Sequence, residues 1–260
     1  MLTPLPDIML EPVVRATLLE DLGRAGDITT DAIVPPDHRS RLALGARQDG
    51  VVAGLDLARI AFRLMDPDID MIVHRPDGAP VRAGEAIATL SGSTRGLLTA
   101  ERTALNLLCR LSGIATATAG LVDAVRGHRA SIVCTRKTTP GLRALEKYAV
   151  RAGGGGNHRF GLDDAILIKD NHVAIAGGIR PALQRARNHA GHMVKIELEV
   201  DSLDQLREAM EIGVDAVLLD NMGPEMLAEG VSIIAGRAIS ERRGGSRRKP
   251  PRPSRPAGWT

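Results

Sequence analysis

The chain has 260 residues, of which 43% are hydrophobic and only 2% aromatic, with a formal net charge of +3. That length buries a substantial aliphatic core in one large domain or two small ones, and it offers few aromatic platforms for stacking bases or sugars. No run approaches the roughly 18 consecutive apolar residues of a membrane helix, and the N-terminus has neither a basic nor an apolar leader region. The two cysteines, Cys109 and Cys134, stand in unrelated contexts, which fits a reduced, cytoplasmic setting. The positive charge is local. Residues 242–260 hold six Arg, one Lys and no acid, so +3 less +7 leaves −4 on the other 241 residues. Such a tail attracts nucleic acid nonspecifically, and nothing in the acidic body supports a specific nucleic-acid partner.

In chain order, residues 7–22 read as a helix capped by Asp7. Short apolar runs follow at 42–46, 51–53, 69–73 and 86–90. Between them stand Asp49-Gly50, Asp66-Pro67-Asp68 and Asp77-Gly78-Ala79-Pro80, turn signals that predict a small sheet domain. Thr99 is the expected cap of a long helix with an apolar stripe of Leu107, Leu111, Ile114, Leu121 and Val125, in which Gly113 marks a break or a close contact. From 131 the rhythm is strand, then helix. Strands are expected at 131–135, 165–168, 194–200 and 216–219, and helices at 141–152, 178–190, 202–212 and 224–237. Alternation of this kind implies parallel strands with crossover helices. The Arg/Pro-rich tail has no periodicity and is expected to be disordered.

In an α/β barrel, catalytic groups sit at the C-terminal ends of strands. Arg136 and Lys137 follow the first of these runs, Lys169 the second and Asp220 the fourth. On the third, Val194, Ile196, Leu198 and Val200 alternate with Lys195, Glu197 and Glu199. Strand side chains alternate faces, so the apolar set should meet helices and the charged set a polar interior, with Glu199 nearest the functional end. Lysine occurs at only five positions, 137, 147, 169, 195 and 249, and Lys137 and Lys169 directly end strands. A strand-end lysine alone usually snorkels to solvent. Two of them beside Glu199 and Asp220 point to chemistry. The run Gly153–Gly156 matches no phosphate-binding fingerprint and reads as a flexible loop presenting His158 and Arg159. Several cations suit a ligand rich in carboxylates or phosphates. The carboxylates suit a metal, ribose hydroxyls or a developing positive charge.

Several segments, in order, resemble the quinolinate phosphoribosyltransferase family. They are Glu20-Asp21-Leu22-Gly23 with Gly26-Asp27-Ile28-Thr29-Thr30; Ala100-Glu101-Arg102-Thr103-Ala104-Leu105-Asn106; and Thr135-Arg136-Lys137-Thr138-Thr139-Pro140-Gly141. Asn157-His158-Arg159, Leu167-Ile168-Lys169-Asp170-Asn171-His172, Glu197-Leu198-Glu199-Val200 and Leu218-Leu219-Asp220-Asn221-Met222 complete the series. The resemblance implies an α/β fold: an N-terminal α/β sandwich domain (1–112), then an open TIM-like α/β barrel (113–241) incomplete at its C-terminal end, then the basic tail (242–260). It implies transfer of a phosphoribosyl group from phosphoribosyl pyrophosphate to quinolinate with loss of CO2, giving nicotinate mononucleotide. Arg136, His158 and Arg159 would bind the quinolinate carboxylates, and Thr135 belongs to the same substrate-binding set. Arg102 would join them from a partner subunit of a homodimer or a hexamer of dimers. Lys137 and Lys169 would contact phosphate oxygens. Glu199 and Asp220 would hold ribose hydroxyls, directly or through Mg2+, and stabilise an oxocarbenium-like transition state.

The resemblance fades near Ser240-Glu241. The family continues with a Ser-Gly-Gly-like turn that Gly244-Gly245 echoes among arginines, and with a later strand end that has no counterpart here. A truncation or frame change is the expectation this raises. Other readings are an inactive family member, a transferase of the branch that accompanies molybdate transport, and a Schiff-base barrel using Lys169. The crowd of charges argues against the apolar pocket that a Schiff-base lysine needs.

Overall fold

A computed structural model describes residues 2–243. The chain divides into two compact units at Phe160/Gly161, and each has its own apolar core.

The first unit opens with α1 (Asp7–Leu22) and α2 (Ile28–Ile33). Asp7 does not cap α1. The N-cap is Pro6, and Asp7 instead accepts from Arg59 at 2.9 Å and Arg63 at 3.2 Å. Asp27 does cap α2, accepting from the Thr30 N–H at 3.0 Å. The chain then runs through β1 (Arg39–Gly45), β2 (Gly50–Val51), α3 (Leu55–Met65), β3 (Asp70–Val73), β4 (Pro80–Val81) and β5 (Ala86–Ser93). Strands β1, β5 and β3 pair antiparallel in that order, and β2 pairs with β4. The sheet expected between 40 and 90 is present, but α3 lies within it. Its apolar residues Leu57, Ile60, Ala61 and Phe62 are buried, each larger one stabilising by about 1.5–3 kcal/mol. Asp77 caps α3 from outside the helix, accepting from the Gly54 and Leu55 N–H groups at 2.9 and 3.2 Å.

Helix α4 (Thr94–Ala124) starts a turn and a half before Thr99, because Ser93 is the cap and accepts from the Gly96 N–H. It runs unbroken past Gly113, whose α-carbon faces open space. It therefore also passes through 112/113, the boundary read from the sequence. By length and composition α4 could cross a membrane. Leu97, Ala100, Ala104, Leu107, Leu108 and Leu111 are nevertheless built into the unit's core, while Leu121 is exposed. The strand expected at 131–135 is reduced to a single parallel bridge between Val133 and Gly156. Helix α5 (Arg143–Ala152) completes the unit.

The second unit alternates β6 (Ala165–Ile168), α6 (Asp170–Ala176), α7 (Ile179–His189), β7 (Lys195–Val200), α8 (Leu203–Ile212), β8 (Ala216–Leu219), α9 (Pro224–Ile234) and β9 (Ile239–Arg242). All four strands are parallel and ordered β6-β7-β8-β9. Ile196, Leu198 and Val200 of β7 join Val217 and Leu219 of β8 in one core with Leu183 of α7, Leu206 of α8 and Ile234 of α9. The alternation on β7 thus divides as expected, with Glu197 and Glu199 on the other face. Strand β9 was not anticipated. Arg242, assigned to the disordered tail, is its last residue, and the rest of that tail from Gly244 lies outside the described residues.

Candidate active site

In the second unit, consecutive strands carry a charged group at or just past their C-terminal ends. Lys169 follows β6, Glu199 is the penultimate residue of β7, and Asp220 follows β8. Parallel register sets this alignment, since Ile168 pairs with Leu198 and Val200 with Leu219. Local hydrogen bonds hold the ends: the Asp220 N–H donates to the Val200 carbonyl at 3.0 Å, and the Lys169 N–H donates to His172 Nδ1 at 2.9 Å. Asn221 takes a left-handed conformation (φ 54°) at the turn out of β8, a backbone state in which Asn is several-fold enriched.

Glu199 and Asp220 are the half-buried centre of this group. Their side chains are 10% and 14% exposed, and Arg243 bridges them, Nη2 to Glu199 Oε2 at 3.2 Å and Nη1 to Asp220 Oδ2 at 3.1 Å. Burial pushes the Glu199 carboxyl above its ordinary value; the Arg243 charge opposes this, the Asp220 carboxylate reinforces it, and Lys169 opposes it. Two adjacent oxygen-donor groups suit Mg2+ or a ribose diol, and here a guanidinium supplies the positive charge between them. The sequence reading missed Arg243, because a run of arginines looks like tail. The available signal was the strand-like Ala238-Ile239 just before it.

Lys195 and Glu197 are not in this group. Lys195 pairs with Asp215 at 2.6 Å at the opposite end of β7, and that partner holds the Asp215 carboxyl below the usual range. Glu197 is buried one step before Glu199 on the same face.

The first unit carries the other cations. Thr135, Arg136 and Lys137 lie in the turn after the Val133 bridge, and His158 and Arg159 follow its partner Gly156. The Thr135 hydroxyl accepts from the Lys137 N–H at 3.0 Å, so its first role is to shape the turn. Lys137 is exposed. Arg136 is half-buried, and its Nε is buried without a hydrogen-bond partner among the described residues. An orphaned guanidinium N–H is costly until an anion satisfies it. Arg102 is exposed on α4.

The glycine run is not a flexible loop. A Cβ on Gly153 would lie 2.3 Å from the Ala115 carbonyl oxygen of α4, and one on Gly155 would lie 2.9 Å from Thr118 Cγ2. Glycine is required there for close approach to α4, and that approach delivers His158 and Arg159 to their places.

Family profiles match most of the chain. The N-terminal domain of quinolinate phosphoribosyl transferase matches residues 27–112, and its C-terminal domain matches 114–244. The chain belongs to the quinolinate phosphoribosyltransferase family. A probable nicotinate-nucleotide pyrophosphorylase [carboxylating] of Bacillus subtilis is 43% identical over 238 residues, covering 92% of this chain and 82% of that protein. The nicotinate-nucleotide pyrophosphorylase [carboxylating] of Mycobacterium leprae is 49% identical over 210 residues, covering 80% and 74%. Among solved structures, NadC from Streptococcus pyogenes superposes with a TM-score of 0.91 at 41% identity, covering 94% of this chain and 86% of that one.

Proposed function

We propose that this member of the quinolinate phosphoribosyltransferase family joins quinolinate to the ribose of phosphoribosyl pyrophosphate, in the synthesis of NAD. The observation that carries this reading is the half-buried Glu199–Asp220 pair at adjacent strand ends, with a cation between the two carboxylates. The quinolinate nitrogen forms a bond to C1 of the ribose as the C1–O bond to pyrophosphate breaks. Pyrophosphate leaves with its electron pair. The carboxylate at C2 then departs as CO2, and the electron pair left on the ring takes up a proton, giving nicotinate mononucleotide. Positive charge develops at C1 in the transition state, and Glu199 and Asp220 stabilise it while positioning the ribose hydroxyls. Arg136, His158 and Arg159 orient the two carboxylates of quinolinate, with Thr135 shaping the turn. Lys137 and Lys169 neutralise phosphate oxygens. Glu199 and Asp220 would hold Mg2+, which supplies charge neutralisation for the leaving pyrophosphate.

Arg102, exposed on α4, is assigned to the site of a partner subunit in a homodimer or a hexamer of dimers. The free cysteines Cys109 and Cys134 support a reduced, cytoplasmic setting. The test is a coupled assay of the purified 260-residue chain for nicotinate mononucleotide, dependent on quinolinate, phosphoribosyl pyrophosphate and Mg2+. Glu199→Ala is expected to lower kcat by about 100-fold or more, the usual scale for removing an electrostatic stabiliser. A folded wild-type chain without quinolinate-dependent product would sink the reading.

A further inference from the structure

Lys147 is one of the largest fully buried side chains, at 2% exposure, and the mechanism above gives it no part. An ammonium is expensive to bury, and methionine would fill the same space without that cost. The compensation here is directional. Lys147 Nζ donates to the His158 backbone carbonyl at 2.9 Å and to Cys134 Sγ at 2.9 Å. Cys134 Sγ in turn donates to Asn157 Oδ1 at 3.4 Å. Among the described residues no carboxylate pairs with this lysine.

The position of these partners in the chain is the informative part. Cys134 stands two residues before Arg136, and His158 immediately precedes Arg159. Regular backbone pairing between the two segments is confined to one bridge, with Gly156 N–H donating to the Ile132 carbonyl at 2.7 Å and Cys134 N–H to the Gly156 carbonyl at 3.1 Å. Beyond that bridge the segments are tied by side chains of α5. Next to Lys147, the buried Glu146 accepts from the Thr139 N–H at 3.1 Å and from Arg110. Arg143 donates to the Thr138 hydroxyl at 3.2 Å and to the Phe160 carbonyl at 3.1 Å. The helix is itself immobilised, since Leu145 and Ala149 belong to the unit's core and the Tyr148 hydroxyl donates to Asp77 at 2.7 Å.

We propose that Lys147 is a positioning residue for the dicarboxylate: its buried ammonium clamps the Cys134 and His158 segments together and so sets the separation of the Arg136 and Arg159 guanidiniums. The choice of ligand rests on the quinolinate reading above, whereas the clamp does not. Two carboxylates on a rigid ring need their cations at one spacing, so loss of the clamp should weaken quinolinate binding more than that of phosphoribosyl pyrophosphate, which has only Lys137 in the clamped segments and Lys169, Glu199 and Asp220 outside them.

The experiment compares wild type with Lys147→Met and Lys147→Arg by amide hydrogen exchange and by steady-state kinetics. In Lys147→Met, exchange across residues 156–159 is expected to accelerate while the amides of α3 stay as protected as in wild type. The KM for quinolinate should rise about tenfold or more, the scale of a slight misplacement of a binding group, with the KM for phosphoribosyl pyrophosphate raised by a clearly smaller factor. Lys147→Arg, which keeps the donors, should recover part of the loss. Unchanged exchange at 156–159, or a rise of both KM values by the same factor, overturns the clamp. Should Lys147→Met not fold, Cys134→Ala removes one of the two acceptors and must show the same changes in smaller measure. A wild type without quinolinate-dependent turnover would defeat the functional reading alone, and hydrogen exchange would then decide the clamp by itself.

Discussion

Glu199 concentrates the residue-scale chemistry. Its carboxyl is raised chiefly by burial, against the opposing charge of Arg243. In the proposed reaction the ionised form stabilises positive charge at the ribose, so activity should fail on the acid side as Glu199 takes up a proton. The acid limb of the kcat/KM profile is therefore expected above 4.5, the ordinary glutamate value. The linkage sign follows from the same shift: a raised folded-state value gives a stabilising contribution present below the unfolded value and lost as pH rises through the folded one. The ionised carboxylate is thus held at some expense to the fold at neutral pH. An acid limb that does not move in Glu199→Gln would assign it to another group. Gly153 makes a second residue-scale case. An alanine there would drive Cβ to 2.3 Å from the Ala115 oxygen, and backbone must shift to relieve it. Gly153→Ala is expected to cost about 1–3 kcal/mol of stability, as overpacking does, read as a lower denaturant midpoint at unchanged slope. A neutral result would mean that the loop has slack that the packing does not show.

Among the elements, β9 has the largest consequence. It extends the parallel sheet by one strand, with Leu219 in register with Arg242, and places Arg243 across Glu199 and Asp220. Each pair occupies one oxygen of its carboxylate, and in the proposed reaction Arg243 competes there with the ribose. Arg243 is 45% exposed, so solvent screening leaves the two pairs together at roughly 1 kcal/mol. Arg243→Ala should accordingly lower the KM for phosphoribosyl pyrophosphate about fivefold. An increase in KM would instead make Arg243 part of substrate binding. Helix α5 acts in the other direction, since its Arg143, Glu146, Lys147 and Tyr148 each hold a different stretch of chain. For Glu146, burial alone would raise the carboxyl, and the Arg110 and Thr139 hydrogen bonds outweigh it and hold it low.

For the whole molecule, the proposed homodimer raises the question of which chain supplies Arg102. Symmetric dimers exchange equivalent surfaces. If Arg102 serves the partner's site, Arg102→Ala and Glu199→Ala chains, each inactive alone, should regain activity when mixed and allowed to exchange. Equal mixing puts one intact site in each hybrid, so about a quarter of all sites recover. Absence of recovery in a mixture shown by mass measurement to contain hybrids would place Arg102 in its own subunit's site.

Much of this protein was legible without coordinates, and for a physical reason. The alternation of apolar and charged residues on β7, the helix periods of α7 and α8, and the charged residues ending β6 and β8 are local patterns. A period-2 strand or a period-3.6 helix writes its buried face directly into the order of residues. The same locality exposed Lys169, Glu199 and Asp220, since each directly ends or nearly ends an apolar run. What the tertiary structure alone decided depends on residues far apart in the chain. Helix α3 was concealed among strand signals because its cap, Asp77, lies 22 residues beyond its start. Residues 131–135 carry a strand pattern but find only Gly156 to pair with, so they remain a bridge. Gly153–Gly156 looks like slack until α4 is packed against it, and Arg243 looks like tail until β9 joins the sheet. Lys147 is one lysine among five until burial leaves it, among the described residues, the Cys134 sulfur and the His158 carbonyl as partners. Pairing, close approach and burial are properties of two segments together, and no single stretch of sequence contains both.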